Sequence, residues 1–132
     1  MRLIAYSTVL IDMWRLRREP HRLLQLRSHL TAPVIPWQVV FEFARGAYRK
    51  GVTDAALQRF LAPFGVLPIT EAQVWRAARI DADLAMSGQT IGAADTWIAA
   101  AALESGLPVL TQNTGHFTRI FGVQVIGYSI LP

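Results

Sequence analysis

Two carboxylates in this chain stand where ordinary surface charges are not found. Glu42 lies among Val39, Val40, Phe41 and Phe43, and Asp95 among Ile91, Ala93, Ala94, Trp97 and Ile98. A carboxylate in such company needs a partner, and a divalent cation is a good one, because hard cations take oxygen ligands and keep waters. An account without metal stands beside it. Asp95 can complement a helix N-terminus, and Glu42 can pair with Arg45 or Arg49 along a helix face. Two further oxygen-bearing side chains fall at comparable places, Tyr6 at the end of the first apolar run and Asn113 just past the run that ends at Thr111.

Distant positions meet only if regular elements carry them together. Short apolar runs over 2–6, 32–35, 65–69, 108–111 and 123–126 predict strands. Helical spacing predicts helices over about 8–17, 20–30, 37–50, 54–64, 70–88, 93–105 and 114–120. Ser7 or Thr8 is expected to cap the first, Thr53 with Asp54 the fourth and Thr70 the fifth; Gly51 and Gly106 close the third and sixth. Val9, Leu10, Met13 and Trp14 are expected to bury one side of the first helix, and Val40, Phe41, Ala44 and Tyr48 that of the third. Strands alternating with helices predict an α/β fold: a central parallel sheet of four to five short strands with helices on both faces. In such sheets reactive groups gather beyond the carboxyl ends of the strands, which is where Tyr6, Glu42, Asp95 and Asn113 fall.

Composition narrows the class. A chain of 132 residues predicts one domain over 1–132, and 52% hydrophobic against 17% charged residues excludes intrinsic disorder. The high apolar share also points to a protein partner. No cysteine is present, which excludes disulfides and thiolate metal sites. Net charge is +4, and twelve of the thirteen basic residues are Arg. Arg15, Arg18, Arg45 and Arg49 are candidate contacts to the phosphates of an anionic partner, the plain alternative being a solvated basic face. Charges at Asp12, Arg15, Arg17 and Arg18 interrupt the apolar opening, and Asp95 interrupts the most apolar later stretch. A soluble, cytoplasmic protein without membrane attachment is therefore expected. His21, His29 and His116 lack the spacing of a helical zinc pair, and no glycine-rich phosphate loop is present. Trp14, Trp37, Trp75 and Trp97 are expected in the core.

Four segments carry a family resemblance. Leu3-Ile4-Ala5-Tyr6-Ser7-Thr8-Val9-Leu10-Ile11-Asp12 resembles the opening of PIN-domain proteins. Val39-Val40-Phe41-Glu42-Phe43-Ala44-Arg45-Gly46-Ala47 resembles the family's second motif, Ile91-Gly92-Ala93-Ala94-Asp95-Thr96-Trp97-Ile98-Ala99-Ala100 its third, and Leu110 through Ile120 its fourth. The chain looks most like VapC-type toxins of bacterial toxin–antitoxin pairs. The resemblance implies a Mg²⁺- or Mn²⁺-dependent endoribonuclease that hydrolyses RNA phosphodiester bonds, with Glu42, Asp95 and Asn113 as metal ligands and catalytic residues. It further implies site support from Ser7, Thr8, Asp12 and His116, a small antitoxin as partner, and a homodimer.

One position departs from the pattern. Tyr6 stands where the family has its first metal-binding Asp. A phenol is neutral at pH 7, so the site loses a charge and gains a ring, and impaired activity is expected. Three explanations stay open: a natural inactive RNA- or protein-binding module, a substitute ligand such as Asp12, or an inactivating change selected during cloning.

Overall fold

The computed structural model describes residues 2–30, 32–112 and 114–129. Five short strands, β1 (Leu3–Ala5), β2 (Pro33–Pro36), β3 (Gly65–Leu67), β4 (Val109–Thr111) and β5 (Val125–Gly127), form one sheet in the order β3-β2-β1-β4-β5, every pair parallel. The helices are α1 (Ser7–Arg15), α2 (Pro20–Arg27), α3 (Trp37–Arg49), α4 (Asp54–Leu61), α5 (Glu71–Met86) and α6 (Ala93–Ser105). Right-handed crossovers place α1 to α4 on one face and α5 with α6 on the other. The expected α/β architecture is the observed one.

Burial explains the sequence of the strands. Leu3, Ile4, Ala5, Val34, Ile35, Val109 and Leu110 are all buried, as expected for a sheet covered on both faces. α6 is buried around most of its girth, from Asp95 through Ala102, and small Ala99 to Ala102 let it lie close to its neighbours. Gly106 ends it at φ +69°, a left-handed conformation in which a Cβ would be strained. Thr53 and Thr70 cap α4 and α5, each accepting from a backbone N–H at 3.2 Å.

Several expectations are corrected. Ser7 and Thr8 do not cap α1: the N-cap position belongs to Tyr6, no side chain closes it, and both hydroxyl residues lie inside the first turn. The helix expected over 114–120 is a 3-10 turn, Thr114–His116, because so short a segment with Gly115 inside it cannot repay helix nucleation. α4 stops at Leu61, two residues before Pro63. The buried face of α3 is Gln38, Val39 and Phe43, while Phe41 and Tyr48 are exposed; apolar residues occupy both sides of this helix, so spacing alone could not orient it. Trp75 is also exposed, because α5 buries Gln73, Ala77, Ile80 and Leu84 and position 75 falls off that row. No helix among the described residues is long and apolar enough to cross a membrane.

Candidate active site

β1 and β4 are neighbours, and the chain leaves them in opposite directions, to β2 and to β5. A crevice at the carboxyl ends of such strands is the usual ligand site of a parallel sheet. Tyr6 follows β1 there, and Gln112 follows β4. α6 delivers Asp95 in its first turn, and α3 delivers Glu42 in its second.

Tyr6 and Asp95 meet directly. The Tyr6 hydroxyl donates to Asp95 Oδ1, and His116 Nδ1 lies 2.6 Å from Asp95 Oδ2. Asp95 is buried, whereas His116 is about half exposed. The Tyr6 ring packs edge-on against Phe117, 5.8 Å between centroids, which holds the phenol across the crevice. The Tyr6 phenol is pushed well above its ordinary range. Burial is the main cause, then the hydrogen bond and charge of Asp95, then the charge of Glu42, with the Ser7 hydroxyl opposing. Both carboxylates thus act on one phenolic oxygen, and Tyr6 is the neutral centre of the group.

A second cluster supports the crevice from below. Asp12, buried on α1, accepts from Gln112 Nε2 at 2.5 Å and from the Tyr128 hydroxyl at 2.7 Å. It ties α1 to the segments that leave β4 and β5. Packing at the same end is close: a Cβ at Gly127 would stand 3.0 Å from Thr114 Cγ2. Asp12 is thus held as an anchor between these segments, with both bonds on its Oδ2. Gln112 and Tyr128 escaped the sequence reading, although Gln112 sits inside the fourth motif.

Asn113 lies outside the described residues. Glu42 is half-buried, and no ion pair joins it to Arg45 or Arg49 among the described residues. Arg15, Arg18, Arg45 and Arg49 are exposed, with the Arg45 guanidinium over the Phe41 ring.

Among the described residues the donor set does not fit a divalent cation as it stands. Both Asp95 oxygens accept from protein donors, the nearest third oxygen is a neutral phenol, and no three His, Asp or Glu among the described residues converge to hold a metal. What the arrangement does chemically is hold a neutral phenol bonded to Asp95 within the field of Glu42.

The family model of the PIN domain matches residues 7–121. Ribonuclease VapC1 of Rickettsia felis is 41% identical over 66 residues, 50% of this chain and 49% of that protein. The tRNA(fMet)-specific endonuclease VapC of Shigella flexneri is 32% identical over 75 residues, 57% of each. The aligned stretches thus span about half the length of these curated relatives. Similar solved structures include toxin–antitoxin complexes. VapBC2 from Rickettsia felis, bound to a promoter DNA fragment, matches with TM-score 0.82 at 18% identity, over 98% of this chain and 100% of that one.

Proposed function

Because this chain belongs to the PIN-domain family, we propose that it is a VapC-like endoribonuclease scaffold whose metal centre is closed by Tyr6. The observation that carries the reading is the Tyr6 hydroxyl bonded to Asp95 beside Glu42, at the carboxyl end of β1. The resemblance puts an Asp at position 6. A phenol there hydrogen-bonds to one carboxylate that would otherwise face a cation, and its ring, braced on Phe117, fills the space.

In this reading the residues present do the following. Glu42 and Asp95 supply negative charge at the switch point of the sheet, and His116 orients the Asp95 carboxylate. Arg15, Arg18, Arg45 and Arg49 supply exposed cations for the RNA backbone, which position substrate without reading sequence. Replacing the phenol by a carboxylate removes the ring and adds the missing anionic ligand. Glu42, Asp95 and Asn113 would then complete a Mg²⁺ or Mn²⁺ site, and such ions activate water and neutralise phosphate charge. A small antitoxin, a second copy of the chain and a cytoplasmic setting belong to the same proposal. The toxin–antitoxin complexes among the structural neighbours support the first, and a cleft lined by Ile11, Trp14 and Phe43 offers it an apolar seat.

A second reading is an inactive RNA- or protein-binding module, favoured by Tyr6 and His116 together occupying both oxygens of Asp95. RNA cleavage in Mg²⁺ or Mn²⁺ separates the two, using the chain itself, Tyr6→Asp, and Tyr6→Asp with Asp95→Asn. The nuclease reading expects cleavage only in the second. A folded Tyr6→Asp protein that is silent on a panel including transfer RNA establishes the binding module instead.

A further inference from the structure

The helix face that carries Glu42 also carries a side chain that the proposed chemistry leaves unused. Gln38 is 7% exposed, yet neither its amide nitrogen nor its amide oxygen has a hydrogen-bond partner. Buried polar groups are nearly always paired, so a vacant donor and acceptor on one side chain call for an explanation. Gln38 lines an open cavity of about 410 Å³ whose walls include Trp37, Phe41 and Trp97 and whose rim carries Glu42 and Arg45. That size suits a small-ligand site, for which about 300–1,000 Å³ is usual. The Trp37 and Trp97 rings stand 6.5 Å apart at 64°, and the Arg45 guanidinium lies 5.3 Å from the centre of Phe41.

We propose that this cavity takes one unpaired nucleobase of an RNA substrate, with Gln38 as the residue that reads its edge. The inference rests on the RNA reading above. Its three parts are those by which proteins hold single-stranded RNA: rings on which a base stacks, a cation for the adjoining phosphate, and a polar side chain for the base edge. Gln38 and Glu42 are one helical turn apart on the same face, so a base seated here lies next to the acidic site. Both amide atoms are covered in the structure, so the proposal requires a rotation of the Gln38 side chain into the cavity, which would give partners to both. Adenine is the expected base, since its adjacent amino group and ring nitrogen match the paired donor and acceptor of an amide. An apolar peptide would cover the rings but leave the amide vacant and confront the Arg45 charge.

The test is binding of fluorescein-labelled single-stranded hexanucleotides to the full chain at low salt: oligo(A), oligo(U) and an abasic chain of equal length. Gln38→Met removes the amide at similar length, and Trp37→Ala removes an exposed wall. Oligo(A) is expected to bind about tenfold more tightly than the abasic chain. Gln38→Met should erase most of that preference while leaving affinity for the abasic chain unchanged. Trp37→Ala should weaken oligo(A) roughly fivefold and reduce its quenching of tryptophan fluorescence; this variant carries the test if Gln38→Met melts early. Equal binding of base-bearing and abasic chains, or a preference that survives both substitutions, overturns this inference alone. A dimer lost in Trp37→Ala with RNA binding intact overturns it too, by giving the face to a second copy. No binding of any RNA by the native chain overturns the RNA reading along with it.

Discussion

The Tyr6 hydroxyl donates to the Asp95 carboxylate, joining the end of β1 to the first turn of α6 across 89 positions of sequence. Asp95 is buried and its other oxygen faces His116, so the carboxylate is satisfied by protein groups alone. Tyr6→Phe removes the one hydrogen bond and keeps the ring. It should cost about 1.5 kcal/mol in urea unfolding, the low end for a bond to a charged group because the phenol is only half-buried. A variant as stable as the native chain would show the bond to be without consequence.

Tyr6→Asp brings a third carboxylate to the site and should behave oppositely with and without metal. Without divalent ions, like charges held close lower its melting temperature below that of the native chain. With Mn²⁺ at a hundredfold above its dissociation constant, about 2.7 kcal/mol should return, a rise of several degrees. The native melting temperature should not move. Thermal melts of both proteins with and without MnCl₂ check this, and a native chain stabilised as strongly as the variant would refute the closed-site reading.

Alkali should unfold the protein earlier than core burial alone suggests. The Tyr6 and Tyr128 phenols are both pushed up, first by burial and then by Asp95 and Asp12 respectively. In the unfolded chain they ionise near pH 10. Their stabilising contribution is therefore whole below about pH 10 and is lost as pH rises from there toward the folded values, where the native state holds the extra protons. Urea midpoints at pH 9 and pH 11 should fall further for the native chain than for the Tyr6→Phe, Tyr128→Phe double variant. Parallel losses would place the alkaline sensitivity elsewhere.

Asp12 should prove a structural residue. Gln112 and Tyr128 both donate to it in a buried setting. Both bonds share Oδ2, so Asp12→Ala, which removes that acceptor from two donors at once, should cost about 2–3 kcal/mol. A double-mutant cycle with Tyr128→Phe should give a coupling of at least about 0.5 kcal/mol; additive losses would mean that the two side chains act independently.

Caps offer a cleaner comparison. Thr53→Ala and Thr70→Ala each break a side-chain bond to a helix N-terminus and should cost about 1 kcal/mol. Ser7→Ala breaks no such bond and should stay within about 0.5 kcal/mol. A Ser7→Ala loss equal to the threonine losses would restore Ser7 as a cap.

Salt titration of RNA binding tests the basic surface. Removing Arg15, Arg18, Arg45 and Arg49 together should flatten the dependence of log affinity on log salt by up to about 0.7 per arginine that meets a single-strand phosphate. An unchanged slope would put the docking surface elsewhere.

Local chemistry determined most of the elements. Apolar runs, proline and glycine punctuation and threonine caps place five strands and six helices from sequence, and α6 agrees with its expected range to the residue, because these signals act over a few neighbours. The odd company of Glu42 and Asp95 was equally legible, since a charge among apolar residues is visible without coordinates. Which way α3 turns was not. Apolar residues lie on both of its sides, and only packing against the sheet chose Val39 and Phe43 over Phe41 and Tyr48. That choice brings Gln38 and Glu42 to the same edge of the crevice. The partners of Asp95 and Asp12 likewise lie far along the chain, at Tyr6, His116, Gln112 and Tyr128. Hydrogen bonding is short-ranged in space and indifferent to distance in sequence, so residue types and spacing named the charged groups, and the parallel sheet, by stacking its carboxyl ends in one row, decided what each of them touches.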